Sequence, residues 1–295
     1  MNIKKTLIAL AVVAASSAGV AHAGLGEFAP GALDQTVNIG GTVNKVDMSG
    51  FWEWAVGTGL DNYQNTVRDL QERDGKYVMS ITNSGNTPIL VGKTTQAFST
   101  PSISGYGAIP QIKLSDSRGN DVLLVQEAIS HDGKYHFDLP VSSSDNQSIG
   151  SVRVYVAVAG IVGTARPGNN TGEIQSLSAN NGTCDVCIFK GGLGEYAGGI
   201  FNDPAQASDT VQLFGGLSSG GVLTQIQDVY PEVNSLIAHA GNTSENMYYN
   251  DGTVVVSASY AMGITDGGKI DVSFNNPVTE TIQWTAPLHI TVSYL

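Results

Sequence analysis

Positive charge is scarce in this chain. Of its 295 residues only 14 are lysine or arginine, against 26 aspartate and glutamate, which gives a formal net charge of −12. Such an acidic surface repels nucleic acid and anionic lipid, so the composition excludes a polyphosphate partner. Charged residues make up only 14% of the chain, whereas glycine alone accounts for 36 residues. This composition is typical of an exported β-rich protein whose polar surface consists mostly of hydroxyls and amides.

Cysteine is also scarce. The two cysteines, Cys184 and Cys187, lie close together in the motif CDVC. In an oxidising compartment such a pair forms a small local disulfide by default. Thioredoxin-like redox chemistry would need a strand before the pair and a helix starting at it, but the preceding 180–183 is typical of a turn. With no second pair of ligands nearby, the sequence predicts a disulfide, no metal and no cofactor.

Long apolar runs are absent after the N-terminus. There, Lys4 and Lys5 precede an apolar run over 6–15 that is too short to span a membrane permanently. Ala21–Ala23 has the small-x-small pattern of a cleavage site, so residues 1–23 are predicted to be a secretory signal. Its removal takes away two lysines and leaves 12 basic against 26 acidic residues, a net charge of −14.

Alternation of apolar and polar residues marks both ends of the mature chain. In the N-terminal stretch 33–43 the apolar side chains share one parity, which predicts one apolar strand face. These residues are Leu33, Val37, Ile39 and Val43. The C-terminal stretch alternates in the same way up to the last residues, through Trp284, Ala286, Leu288, Ile290, Val292 and Tyr294. An alternating strand at each end suggests a sheet completed between molecules; pairing of the N-terminal strand within its own domain is the alternative.

Between these ends, short alternating runs separated by Gly, Asn and Asp turns predict a β-sandwich. In the first run, 51–57, Trp52 and Trp54 share a face, which favours a core strand over an exposed sugar-stacking platform. The other predicted strands are 76–82, 89–93, 110–115, 122–127, 135–139, 148–160, 253–261, 269–274 and 279–294.

The pattern changes between residues 161 and 250. Asp203-Pro204 predicts a helix start. Apolar residues from Val222 recur at helical spacing, which predicts a second helix, kinked at Pro231 and ended by Gly241. We therefore expect a domain over 44–295 interrupted by an insertion at 161–250, and long ordered insertions are usually functional.

Residues 216–220 match the G-x-S-x-G pattern of hydrolase nucleophiles. Asp228 with His239 or His289 would complete the catalytic order around Ser218. However, the surrounding chain lacks the alternating strand–helix units that position such a serine, and Ser218 or Ser219 is well placed to cap the following helix. We therefore predict no enzyme, with an exported serine hydrolase as a remote alternative.

Several segments resemble the chaperone–usher fimbrial major subunits of the FaeG type, in which the major subunit is itself the adhesin. They are MNIKKTLIALAVVAA, VNIGGTVN, WEWAVGTGL, PILVGKTTQAFSTP, IPQIKL, GSVRV, LTQIQDV and QWTAPLHITVSYL. The resemblance covers nearly the whole mature chain and is weakest between residues 164 and 215.

The resemblance implies an incomplete immunoglobulin-like β-sandwich that lacks its last strand. Residues 24–43 would be the donor strand extension, inserted into a neighbouring identical subunit through Leu33, Val37, Ile39 and Val43. A periplasmic chaperone would first pair with the C-terminal strand through Leu288, Ile290, Val292 and Tyr294. An outer-membrane usher would then assemble the homopolymer at the cell surface.

The resemblance also implies that the insertion binds host glycoconjugates, while a structural pilin without lectin activity is the alternative. The residues that match the family's glycan-binding stretch are Glu173, Ser178, Asn180, Asn181, Phe189 and Lys190. The family's sugar-stacking aromatic is replaced here by Ser178.

Overall fold

The computed structural model describes residues 49–99, 108–179, 186–244 and 252–295. Within these ranges the protein is mainly β, with strands that pair antiparallel except in one case. The strands are β1 (Trp52–Val56), β2 (Leu70–Arg73), β3 (Lys76–Thr82), β4 (Thr87–Thr94), β5 (Phe98–Ser99), β6 (Pro110–Ser115), β7 (Val125–Gln126), β8 (Lys134–Ser143), β9 (Ser148–Ala165), β10 (Thr171–Leu177), β11 (Ser235–Thr243), β12 (Val255–Ile264), β13 (Lys269–Phe274), β14 (Trp284–Thr285) and β15 (His289–Tyr294). The predicted signal segment 1–23 and strand 33–43 lie outside the described residues.

Two α-helices and three short 3₁₀ helices complete the described elements. The helices are α1 (Pro204–Leu213) and α2 (Ser219–Val229), and the 3₁₀ helices are Ser49–Phe51, Val67–Asp69 and Ala197–Gly199. No helix in the described ranges has the length and apolar character that crossing a membrane requires.

The long strand β9 lies at the centre of the main sheet. Its C-terminal half pairs with β12, and its N-terminal half pairs with β13, which continues the path of β12 after a turn. The main sheet has the order β1-β4-β12-β9-β13-β3-β2, while β8 lies beside β9 off this path. The last strand, β15, pairs with β6 in a separate two-stranded sheet.

The described residues form two apolar clusters. The main core contains Phe137, Val158, Tyr260 and Met262, all nearly or fully buried. A second cluster lies on the outer face of β9 and β12, where the two helices cover it with Val211, Val222 and Ile226. Strand β12 is consequently buried on both faces.

A buried polar network fixes helix α2 to this outer face. The carboxamide oxygen of Gln225 accepts hydrogen bonds from the hydroxyls of Thr94 and Ser257, both at 2.7 Å. The Gln225 amide donates in turn to the backbone oxygen of Thr94, also at 2.7 Å. Because buried polar groups are costly when unpaired, this closed set of bonds specifies the position of the helix.

The mainly β sandwich predicted from alternation is confirmed, and β3, β6 and β13 have the predicted bounds. The predicted helix from Val222 to Gly241 is wrong in its second half. Helix α2 ends at Val229 because the residue before Pro231 is disfavoured in helical conformation. Residues 235–243 instead form β11, which pairs parallel with β10.

Candidate functional site

The C-terminal strand β15 is a half-covered edge. Ile290, Val292 and Tyr294 pack against the main core, whereas the residues between them are exposed. Among the described residues β15 pairs with one strand only, β6, in a register that places Ile290 opposite Leu114. Leu288, just before the strand, packs on the same cluster. The alternation predicted from the sequence is therefore confirmed, while chaperone contact by these four residues stays a prediction.

The inner face of β15 is less covered than that of its partner. On β6, Ile112 and Leu114 are almost completely buried, but Ile290 and Val292 opposite them are only half-buried. The same holds for the preceding segment, where Ile282 packs against the core without being fully enclosed. The inner side chains Ile282, Ile290 and Val292 are thus less enclosed than Ile112 and Leu114 of β6.

The end of this strand is held by a hydrogen bond from Trp54. The indole nitrogen of Trp54 donates to the hydroxyl of Tyr294 at 2.9 Å. Trp52 is buried behind it and donates to the backbone oxygen of Ala108 at 3.1 Å. The core interpretation of these two tryptophans is supported by their contacts, and Tyr294 is fixed at the tip of β15.

Glu173 is exposed and lies within the predicted insertion 161–250. It is on β10, opposite Ile237 of β11, and its carboxylate lies 3.5 Å from the Nε2 atom of His239. Ser178, just after β10, is buried, and its backbone N–H donates to the oxygen of Thr243 at 2.9 Å. The structure therefore exposes Glu173 but turns Ser178 inward.

Phe189 is a core residue. Its side chain is 0% exposed and lies edge-on to the rings of Trp52 and Trp54, with centroids 5.6 Å and 6.0 Å away. It also lies 5.2 Å from the ring of Tyr260. A ring enclosed in this way offers no face to a sugar.

The remaining predicted residues of this stretch are only partly described. Lys190 is half-buried, and its backbone oxygen accepts from the N–H of Ile112 at 2.8 Å. Asn180, Asn181 and Cys184 lie outside the described residues. The disulfide between Cys184 and Cys187 therefore stays a prediction, and Cys187 itself is buried.

Sequence reasoning missed Tyr196. Its side chain is 71% exposed, and no other aromatic side chain in the described ranges is classed as exposed. Tyr196 directly precedes the 3₁₀ turn Ala197–Gly199. The carbonyl oxygens of this turn accept three hydrogen bonds at 2.9–3.0 Å, from the backbone N–H groups of His131 and Gly133 and from the side-chain amide of Asn242. The glycine-rich flank GLGEYAGG was the available signal, because tight turns hold a ring at the surface on a fixed backbone.

Ser218 is a helix cap. Its hydroxyl accepts from the backbone N–H of Gly221 at 3.2 Å, at the N-terminus of α2. The G-x-S-x-G segment follows helix α1 rather than a strand, so it lacks the strand-to-helix turn of a hydrolase nucleophile. The capping role predicted for this hydroxyl is confirmed.

The fold defines a class of protein, the mainly β sandwiches, and among the described residues the last strand, β15, pairs with one neighbour. A family model described as "Fimbrial, major and minor subunit" matches residues 3–295. The K88 fimbrial protein AB of Escherichia coli is 40% identical over 293 residues, which cover 99% of both chains. The K88 fimbrial protein AD is 39% identical over 298 residues, and the F41 fimbrial protein 25% over 310, each with 99% of both chains covered. The chain belongs to the K88 family of fimbrial subunits, which are components of cell-surface fimbriae.

Proposed function

We propose that this protein is exported through the periplasm and polymerises into a fimbria by accepting an N-terminal strand from a neighbouring identical subunit. The observation that carries the proposal is the half-burial of Ile290 and Val292 on a strand with one described neighbour. An added strand would cover these side chains and pair with the backbone of β15. Sealing the edge in this way would also prevent uncontrolled association.

The proposed donor is the stretch 33–43 within the extension 24–43, released after removal of the signal 1–23. Its four apolar side chains each contribute roughly 1.5–3 kcal/mol when buried, before the entropy of ordering the strand is subtracted. A periplasmic chaperone would occupy the groove first, pairing with Leu288, Ile290, Val292 and Tyr294. The outer-membrane usher is then the site where the donor strand replaces the chaperone.

Moving the donor strand tests this proposal. In the variant, residues 24–43 are removed from the N-terminus and attached after Leu295 through a flexible glycine-rich linker. We expect a stable monomer that forms no fibres, because the strand is supplied within the chain and none is left to donate. A matched variant carries the same transplant with Val37→Asp and Ile39→Asp, and we expect it to unfold at lower temperature. Fibres formed by the first variant would overturn the proposal.

We also propose that the assembled fimbria binds host-cell glycans through the insertion 161–250. The supporting feature is an exposed ring, Tyr196, held on a fixed turn of the insertion, together with the exposed carboxylate of Glu173. An aromatic face is suited to the apolar C–H face of a sugar ring, and a carboxylate is suited to its hydroxyls. Binding by one subunit is expected to be weak and to gain strength from many copies along the fibre.

A glycan array probed with intact fimbriae tests this second proposal. Tyr196→Ala should reduce binding to neutral glycans without changing assembly. Val56→Ala is the matched control, since Val56 is exposed on β1, outside the insertion. Absence of binding by wild-type fimbriae at full valency would favour the alternative, a structural pilin without lectin activity.

A further inference from the structure

A polar cleft lies on the outer face of β2 and β3, outside the insertion. Its volume is about 570 Å³, within the range of roughly 300–1,000 Å³ that is usual for small-ligand sites. The segment before β2 forms one wall and the two strands form the other. The lining includes Tyr63, Asn65, Arg68, Gln71, Arg73 and Ser80.

The strand register explains why polar side chains meet there. Gln71 of β2 lies opposite Val78 of β3, and side chains two residues apart on each strand share a face. Arg73 and Ser80 therefore lie on the same outer face, while Met79 and Ile81 point into the core. Arg68 belongs to the 3₁₀ turn Val67–Asp69 that leads into β2.

Charge sets this cleft apart from the rest of the molecule. Two of the chain's five arginines line it, in a protein with a formal net charge of −12. Among the described residues neither guanidinium forms an ion pair, and Arg73 donates to the carboxamide oxygen of Gln71 at 2.6 Å. By contrast, Arg153 on β9 is held by both carboxylate oxygens of Asp138 at 2.9 Å.

Two carboxylates lie near the cleft, and both already accept hydrogen bonds. Asp69, which also lines it, accepts from the backbone N–H and the hydroxyl of Thr66 at 2.7 Å and 3.1 Å. Asp271 accepts from the hydroxyl of Ser80 at 2.5 Å. The lining itself thus carries two guanidinium groups against one carboxylate, so it favours a negatively charged ligand.

We propose that this cleft binds an acidic sugar, one that carries a carboxylate or a sulfate on a hydroxyl-rich ring. The planar fork of a guanidinium matches the oxygens of such anions. The amides of Asn65 and Gln71 supply donors and acceptors for hydroxyls, and the half-buried ring of Tyr63 supplies an apolar surface. This site is separate from the insertion and does not depend on the function proposed for it.

Binding of lactose, sialyllactose and sulfated lactose to isolated fimbriae tests the proposal. Wild-type fimbriae should bind at least one acidic sugar about tenfold more tightly than lactose, the factor expected for a charge-assisted hydrogen bond. The preference should weaken at about 0.5 M salt because the cleft is open to solvent. Preference for sialyllactose would identify the carboxylate as the ligand, and preference for sulfated lactose the sulfate.

The double variant Arg68→Gln with Arg73→Gln should lose this preference while its binding of lactose stays unchanged. Arg118→Gln is the control, since Arg118 is an exposed arginine in a turn outside the cleft. Circular dichroism and fibre yield verify that each variant folds and assembles.

Three results would overturn the proposal: no preference of the wild type for acidic sugars over lactose, a preference kept by the double variant, or an equal loss of preference in Arg118→Gln.

The test also separates this site from the insertion. Tyr196→Ala should reduce lactose binding and leave the added affinity for acidic sugars intact. If the insertion binds no glycan at all, acidic sugars alone should still bind, and the cleft variants should abolish that binding.

Discussion

Strands β12 and β15 are both antiparallel and both place apolar residues at alternate positions, but they are buried very differently. Every residue of β12 is buried, because the main core covers one face and helices α1 and α2 cover the other. In β15 the outer residues are exposed and the inner ones are only half-buried. The difference shows that the position of a strand in the sheet determines how far its side chains are buried. In β15 that incompleteness is what we propose the subunit uses for assembly.

The largest expected effect is in β12. Met262→Asp would place a carboxylate where the side chain is fully buried in the main core. Burying an unpaired charge costs more than about 4 kcal/mol, comparable to the whole stability of many domains. We expect no folded subunit, measured as loss of soluble protein. Folded Met262→Asp protein with native circular dichroism would contradict the burial described for β12.

The next effect is in β15. Val292→Asp alters a half-buried side chain on the edge where the donor strand is proposed to add, so we expect some folded subunit but no fibres. Thr291→Asp is the matched control, because Thr291 is exposed on the same strand and the charge stays in solvent. Electron microscopy of surface fibres measures the outcome. Equal assembly of the two variants would show that the inner face of β15 has no part in polymerisation.

A smaller effect is expected where the core approaches β15. A Cβ atom at Gly92 of β4 would lie 2.2 Å from the Trp54 ring, whose nitrogen is bonded to Tyr294. Gly92→Ala should therefore lower the free energy of unfolding by about 1–3 kcal/mol. Gly50→Ala is the control, since a Cβ there meets nothing within 4 Å. Denaturant unfolding of both variants measures the difference. Equal unfolding midpoints would contradict the close contact between Gly92 and the Trp54 ring.

The smallest effect concerns the turn that follows β6, the partner of β15. The Asp116 carboxylate accepts hydrogen bonds from the Asn120 side chain and from the backbone N–H groups of Asn120 and Arg118, at 2.8–2.9 Å. These bonds lower the pKa of Asp116 below its ordinary value of 3.8. Because the folded pKa is the lower one, the stabilisation is present above pH 3.8 and is lost as pH falls through the folded pKa.

Asp116→Asn should therefore lower the thermal unfolding midpoint at pH 6, and the difference from the wild type should shrink at acid pH. Melting curves across this range measure it, with Asp121→Asn as a control because Asp121 makes an exposed ion pair with Lys113. A difference that stays constant from pH 6 down to pH 2 would contradict the role assigned to the Asp116 carboxylate.

Local patterns predicted local structure well in this protein. The alternation of residues 76–82 and 269–274 gave the bounds of β3 and β13, and Asp203-Pro204 gave the start of α1, where Asp203 accepts from Ala205 at 2.9 Å. The helical spacing of Val233, Leu236 and Ile237 misled, because Pro231 ends the helix before them. Leu236 and Ile237 lie in β11, and Val233 comes just before it. Strand β11 pairs parallel with β10, which is about 60 residues earlier in the chain, and no local sequence pattern reveals such a pairing.

The candidate site was predictable only in part for the same reason. The inner face of β15 could be predicted from the alternation of apolar and polar residues, since this alternation is a local property of the sequence. Phe189 was expected at a sugar site, but it is enclosed by Trp52, Trp54 and Tyr260, which come from distant strands. Tyr196 and the cleft at Arg68 depend on how turns and neighbouring strands meet, so only the fold reveals them.

We propose that a strand from a neighbouring subunit inserts beside β15. A reconstruction of the native fimbria by electron cryomicroscopy tests this insertion most directly. We expect residues 33–43 of each subunit to run beside β15 of the next, with Val37 and Ile39 facing the main core next to Ile290 and Val292. A fimbria in which the edge of β15 is bare, or is covered by the same subunit's own N-terminal segment, would contradict it.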